Sequence, residues 1–289
     1  MGDYLNPSYP RYEKLKKSKV FVDKTDIFEI LNENLGKEKC FFCLSRPRRF
    51  GKSVTAQMIC SYYARCQDSS SLFDNLKIAS FDDYKKHLNQ YDVIFINMTD
   101  EFNDSSCDVN KMIASITKSI VGELKEAYPQ IDFKSLDILH KTLKEVFSQS
   151  KVPFVIVIDE WDCIMREKKE DPDSLKQYLE WLKAIFKDKP YVALAYMTGI
   201  LPIKKYGSHS ALNMFTEYSM TEPLNLGQYI GFTEDEVKDI CKQHDVAFNQ
   251  MQQWYDGYSF KDVPHIYNPN SVVNAATYKK YISYWTKTE

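Results

Sequence analysis

The sequence predicts an α/β protein, a mainly parallel five-stranded sheet flanked by helices, followed by a small C-terminal helical unit. Three observations carry that expectation. Short apolar, β-rich runs alternate with longer amphipathic ones, the pattern of strands joined by crossover helices. Runs such as FVIVI (154–158) are apolar at every position, which suits strands covered on both faces. After about residue 221 the alternation stops and aromatic-rich short segments take over.

The strands are read at CFFCLS (40–45), DVIFINM (92–98), PFVIVID (153–159), YVALAYMT (191–198) and MFTEYSM (214–220). Between them, Val54, Met58, Ile59, Tyr62 and Cys66 form one helical stripe in residues 53–66. Met112, Ile116, Ile120 and Leu124 form another in 109–127, and Leu175, Leu179, Leu182 and Phe186 a third in 174–187. Farther on, Thr233 with Glu236 three residues later makes a capping box at the start of a helix. A boundary placed near 221–228 divides the chain into a core, 1–225, and a C-terminal unit, 226–289, that is helical or winged-helix-like.

Composition narrows the partners. The 289 residues are 44% hydrophobic and 27% charged with a net charge of −2, an ordinary globular balance with no global pull toward nucleic acid. Seven scattered cysteines argue for a reducing compartment rather than a disulfide framework. Cys40 and Cys43 have zinc-ligand spacing but lack a second pair, so they read as buried strand residues. The N-terminal MGDYLNPSYPRYEKLKK has no apolar signal stretch, Asn6 stands where myristoylation needs Ser or Thr, and no run is long enough to span a membrane. A cytoplasmic location is expected.

The chemistry concentrates at strand ends. Gly51-Lys52-Ser53 follows a predicted strand and opens a predicted helix, the setting in which backbone N–H groups and a lysine hold phosphate and a hydroxyl ligates Mg²⁺. The loop SRPRRFGKS (45–53) departs from G-x-x-x-x-G-K-[ST]: Arg46 replaces the first glycine, and Pro47 removes an N–H. Arg46, Arg48 and Arg49 add guanidinium donors suited to phosphate. A second element is PFVIVIDE (153–160), an apolar strand ending in Asp159-Glu160. Asp159 would hold the Mg²⁺ water shell and Glu160 would orient or deprotonate an attacking water; the plainer reading is a strand with a solvated acidic tip. A third is Thr198 in YMTGI (196–200), either a sensor of the terminal phosphate or a strand-to-turn transition. Lys204 and Lys205 are phosphate candidates by position alone.

FVDKTDIF (21–28), SRPRRFGKS, FVIVIDEWD (154–162), TGI (198–200), FTEYSM (215–220), GFTEDEV (231–237), WYDGYSF (254–260) and YNPNSV (267–272) occur in this order. Together they resemble the prokaryotic AAA-ATPase-like family, over nearly the whole chain. The resemblance implies a P-loop NTPase fold, an Mg²⁺-dependent ATPase, and ATP as the ligand. It assigns Arg46, Pro47, Arg48, Arg49, Phe50, Gly51, Lys52, Ser53 and Val54 to the nucleotide loop and Ser53 with Asp159 to the metal. Lys52, Glu160 and Thr198 become the catalytic set, hydrolysing slowly. Asp23-Lys24-Thr25, Tyr255-Asp256-Gly257 and Tyr267-Asn268-Pro269 recur in the family without an evident chemistry, and packing and turns are the jobs expected of them.

Members often carry a C-terminal PD-(D/E)XK nuclease-like domain; the chain ends at YWTKTE about where they continue, so no nuclease activity is expected, and the D-x-K in IDFK (131–134) reads as chance. The absence of a glycine-arginine sensor in the C-terminal segment favours a nucleotide-dependent switch acting on a protein partner or effector domain over a ring motor, and the family resemblance implies a link to defence or mobile elements. An oligomer stays open. The competing readings are a nucleotide-insensitive module with a vestigial loop, and a nucleic-acid binder using RYEKLKKSK (11–19), for which a solvated surface is the plainer account.

Overall fold

The computed structural model describes residues 2–8, 10–203, 211–259 and 263–284, with Arg11 described by its backbone alone. Helices α1 (Pro10–Lys16) and α2 (Ile27–Asn34) precede strand β1 (Phe41–Ser45), which leads through a loop into α3 (Lys52–Tyr63). Short helices α4 (Ser70–Phe73) and α5 (Tyr84–His87) reach β2 (Asp92–Asn97). Helices α6 (Met98–Asp104), α7 (Val109–Ala127) and α8 (Leu139–Ser150) then cross to β3 (Phe154–Asp159). From there α9 (Cys163–Glu167) and α10 (Pro172–Phe186) cross to β4 (Val192–Gly199), and β5 (Thr216–Tyr218) completes the sheet.

The five strands are all parallel, in the order β2-β3-β4-β1-β5. Every residue of β3 and β4 is buried, as continuous apolar runs between two helical layers require. The expected strands are all present, β5 at three residues rather than seven because only Thr216–Tyr218 pair with β1. The three expected helical stripes appear as α3, α7 and α10. Helix α8, which no stripe had singled out, buries Leu139, Thr142, Leu143 and Val146; its apolar face includes a threonine among charged neighbours. No helix among the described residues is long and apolar enough to cross a membrane.

A parallel sheet leaves β2 as an open edge, a liability for pairing with other chains. Here the N-terminus covers it: Leu5 bridges Ile94 antiparallel, Asn6 N–H donates to the Val93 carbonyl, and Phe95 N–H to the Tyr4 carbonyl. Buried Asp92 pins the arrangement, accepting from Asn6 Nδ2 at 2.9 Å, Arg65 Nε at 2.7 Å and the Tyr128 hydroxyl.

The C-terminal unit contains β6 (Phe232–Thr233), α11 (Glu234–His244), α12 (Phe248–Tyr255), β7 (Asp256–Tyr258), β8 (Ile266–Tyr267) and α13 (Pro269–Tyr278). Its small antiparallel sheet, ordered β6-β8-β7, was not apparent in the aromatic short segments. Thr233 and Glu236 form the capping box of α11. Val237, Ile240, Met251, Tyr267 and Val272 gather in a second apolar cluster that also takes in Val20, so the segment before α2 packs against the C-terminal unit. Lys24 clamps the two, donating to the Gln228 carbonyl at 2.6 Å and to Glu236 Oε2 at 2.5 Å. Its neighbours Asp23 and Thr25 bind the backbone N–H groups of Lys77 and Ile78. The DKT motif is a structural knot.

Candidate functional site

The carboxyl ends of β1, β2, β3 and β4 converge at one edge of the sheet, where open α/β folds place ligands. Because β4 lies between β1 and β3, the residue at its tip stands between the glycine-lysine loop and the acidic pair. Register sets Thr198 opposite Leu44 and Asn97 opposite Asp159. The resulting cleft, of about 580 Å³, is lined by Arg48, Arg49, Gly51, Lys52, Ser53 and Val54 on one side. Asn97, Thr99, Asp159, Glu160 and Arg166 line the other.

The loop is held in an unusual backbone course. Arg49 and Gly51 are both left-handed, with φ of 70° and 87°, a conformation that costs a non-glycine residue energy. Gly51 is the N-cap of α3, and no side chain caps that helix. Since the Thr55 N–H closes the first helical bond onto the Gly51 carbonyl at 2.9 Å, the N–H groups of Lys52, Ser53 and Val54 are left to an outside acceptor. Lys52 Nζ turns back to donate to the carbonyls of Arg46 and Pro47, each at 2.9 Å. Burial lowers its pKa, opposed by Glu160, Asp159 and Asp162.

One expectation for the loop needs correction. Arg46 does not line the cleft: its guanidinium is fully buried and donates to the carbonyls of Ser45 and Tyr218, tying the loop's start to β5. Desolvation brings its pKa down to about 10. Phe50 is also buried, its ring packed edge-on against Tyr258 with centroids 5.1 Å apart, and it lines the apolar pocket described below. Both side chains anchor the loop and leave its backbone and Arg48, Arg49 and Lys52 facing the cleft.

On the acidic side, Asp159 is 2% exposed and Thr198 fully buried. The Thr198 hydroxyl donates to Asp159 Oδ1. Desolvation raises the Asp159 pKa, opposed by the Ser53 and Thr198 hydroxyls and by Lys52. Glu160 is left-handed, with φ of 56°, at the turn leaving β3. Its Oε2 lies 2.5 Å from Arg166 Nη2 and 3.4 Å from the Thr99 hydroxyl. Beyond it, Asp162 Oδ2 accepts from the N–H groups of Ile200 and Leu201, fixing the chain after Thr198. Gly199 is tightly confined there, because a Cβ would come within 2.7 Å of Trp161 Nε1 and 2.9 Å of Asp162 Oδ1. Lys204 and Lys205 lie outside the described residues.

A second, largely apolar pocket of about 380 Å³ adjoins the loop. Phe21, Val22, Met58, Tyr229 and Phe232 line it with Arg49, Gly51 and Val54, and Asn270 and Asn274 come from α13. The Asn270 Nδ2 atom is buried with no partner among the described residues.

A parallel sheet in this order, with a glycine-lysine loop leaving β1 for a helix and an Asp-Glu pair ending β3, defines an α/β P-loop NTPase fold. More narrowly, the family model described as "Predicted AAA-ATPase" matches residues 10–208, and the chain belongs to this AAA-ATPase-like family. It is 22% identical over 274 residues to an "Uncharacterized protein in vnfD 5'region" from Azotobacter chroococcum mcd 1, covering 93% of this chain and 50% of that protein. The chain thus spans half the length of this curated relative. Among solved structures, Cdc6p from Pyrobaculum aerophilum is 15% identical with a TM-score of 0.33, covering 84% of this chain and 51% of that one. PCH-2 from C. elegans is 11% identical with a TM-score of 0.32, covering 94% and 55%. The ORC2 protein of Aeropyrum pernix, in ADPNP-ADP complexes, is 14% identical with a TM-score of 0.32, covering 81% and 50%. These TM-scores are too low to carry anything further.

Sequence reasoning missed Arg166, Asn97, Thr99 and the apolar pocket. Asn97 left a signal, a polar residue ending an apolar strand. Arg166 left none beyond its spacing of four from Asp162, and the pocket joins segments more than two hundred positions apart.

Proposed function

We propose that the chain is an Mg²⁺-dependent ATPase module. The observation that carries this reading is one cleft in which an uncapped helix N-terminus and Lys52 face Asp159 and Glu160, with the buried Thr198 hydroxyl behind Asp159. Oriented N–H groups at a helix start are an anion site, and Lys52 is already within reach of it. On nucleotide binding, Lys52 exchanges its two loop carbonyls for phosphate oxygens. Ser53 and Asp159 fit Mg²⁺, which takes one or two protein oxygens and completes its shell with water and phosphate. When bound, that ion neutralises charge developing on the phosphate oxygens. Thr198 orients the Asp159 carboxylate by its hydrogen bond, and Glu160 is placed to hold a water for in-line attack.

The adjoining apolar pocket supports a purine base beside the loop. Phe21, Val22 and Tyr229 offer apolar faces, and the buried Asn270 Nδ2 offers a donor to a ring nitrogen. Slow hydrolysis acting as a switch on a protein partner or effector domain belongs to the same reading.

Calorimetric titration of Mg-ATP into the wild-type chain and Lys52→Ala tests this. Charge-assisted hydrogen bonds contribute about 1.5–3 kcal/mol each, so the variant should lose about tenfold to a hundredfold in affinity. Wild-type protein that is folded and binds no nucleotide would establish the loop as vestigial.

A further inference from the structure

The cleft holds a cation that the loop does not supply. Arg166 sits on α9, just beyond the Asp-Glu pair, and lines the cleft together with Lys52 and Ser53. Its side chain is only 16% exposed; Nη2 lies 2.5 Å from Glu160 Oε2, and Nε lies 3.4 Å from Asp162 Oδ2. The two carboxylates differ in what else they do. Asp162 is fully buried, and its Oδ2 is committed to the Ile200 and Leu201 N–H groups. Glu160 is partly exposed to the cleft, and its other side-chain contact is the Thr99 hydroxyl at the outer limit of a hydrogen bond.

An arginine so placed engages Oε2 of the carboxylate proposed to hold the attacking water. A carboxylate oxygen already held by a guanidinium is less available to accept a further hydrogen bond from water. A terminal phosphate in the same cleft offers the guanidinium a more highly charged partner with three oxygens in matching geometry. Nε makes an ion-pair contact with Asp162 but no hydrogen bond among the described residues, so a change of partner for Nη2 can be made by rotation about the end of the side chain.

Resting on the ATPase reading above, we propose that Arg166 is a γ-phosphate sensor acting within its own chain. With no nucleotide or a diphosphate bound, it stays paired to Glu160 and keeps that carboxylate from water. With a triphosphate bound, its guanidinium turns to the γ-phosphate oxygens, which holds that phosphate and releases Glu160 in one movement. The module thereby distinguishes triphosphate from diphosphate before any hydrolysis occurs.

Affinities for ADPNP and for ADP, both with Mg²⁺, test this in wild type, Arg166→Ala and Arg166→Lys. The alanine variant should lose about tenfold or more in ADPNP affinity while binding ADP within about twofold of wild type, and lysine should restore part of the loss. Unchanged ADP binding also reports an intact fold; where the alanine variant fails to bind ADP, the lysine variant carries the same comparison. Glu160→Gln, which weakens the resting pair, should tighten ADPNP binding in wild type and leave it unchanged in the Arg166→Ala background. Equal losses for ADP and ADPNP in both variants would reduce Arg166 to a structural residue and overturn the proposal, as would no loss for either nucleotide. Wild-type protein that binds neither nucleotide would overturn the reading of the cleft itself, a result distinct from normal ADP binding with unchanged ADPNP affinity.

Discussion

Replacing Asp159 by Asn should make the ligand-free protein more stable while weakening Mg-nucleotide binding. The carboxyl is 2% exposed at the end of β3, and burial raises its pKa against the pull of Ser53, Thr198 and Lys52. A raised value means that the folded chain holds this proton more tightly than the unfolded chain does. The group's stabilisation is therefore fully present below the unfolded carboxyl pKa, about 3.9, and is lost as pH rises through the folded value. At pH 8 the wild type bears the full cost of an ionised buried carboxylate, on the order of several kcal/mol. Attraction to Lys52 and the Thr198 hydrogen bond offset most of it, at about 1.5–3 kcal/mol each. Asparagine keeps Oδ1 as the acceptor for Thr198 and removes the charge, for a net gain of about 1 kcal/mol, or about 2 °C in Tm. Urea unfolding of both proteins at pH 8 and pH 5 reads the difference: the variant should lead at pH 8 and lead by less at pH 5. A variant less stable than wild type at pH 8, or a gap that ignores pH, would refute the reasoning.

Two further changes probe the scaffold around the site. Lys24 and Glu236 are 12% and 19% exposed and 2.5 Å apart, so a double-mutant cycle of Lys24→Ala and Glu236→Ala in urea unfolding should give a coupling of about 2 kcal/mol. A coupling under about 0.5 kcal/mol, the scale of exposed pairs, would sink the idea that this clamp joins core and C-terminal unit. Glu236→Ala should cost more than Lys24→Ala, because Glu236 also accepts from the Thr233 N–H at 2.8 Å. Gly199→Ala should cost about 1–3 kcal/mol by overpacking against Trp161 and Asp162 and should weaken Mg-nucleotide binding by displacing Thr198. Binding equal to wild type in that variant would show that the β4 tip is not part of the site.

The sheet was legible because its strands obey one rule from end to end. FVIVI and VALAYM are apolar at every position, so only a strand covered on both faces suits them, and β3 and β4 are buried throughout. The turn into α3 was legible where a backbone conformation favours a residue type, since Gly51 is left-handed at the N-cap of that helix. Arg46 was misread for the opposite reason. In a loop of this composition nothing in the residue types says which side chains face phosphate and which anchor the loop, and that choice is made by β5 and by Tyr258, far along the chain. The strands β6, β7 and β8 span two or three residues each, too short for any periodicity to register.

Residues of the C-terminal unit back the loop from behind, Asn268 among them. Phe50 packs on Tyr258, Arg49 Nη1 donates to the Tyr284 carbonyl at 3.3 Å, and Asn268 Nδ2 reaches the Arg48 carbonyl at 3.5 Å. Gly231 lies so close that a Cβ would meet Ile266 at 2.7 Å and Phe50 at 3.3 Å. The loop is therefore one strip of backbone with two occupied sides, phosphate donors on one and the C-terminal unit on the other. With left-handed Arg49 and Gly51 on either side of buried Phe50, it has little freedom to shift one side alone. A ligand can move such an element only by as much as its affinity differs between the two arrangements. Lys52 supplies part of that difference, since its bonds to the Arg46 and Pro47 carbonyls and its bonds to phosphate are alternatives. Arg166 supplies another part for a triphosphate alone. A switch built on this loop would therefore respond to nucleotide through both cations and to the γ-phosphate through one of them, and the contacts of Phe50, Arg49 and Arg48 are where the C-terminal unit would register it.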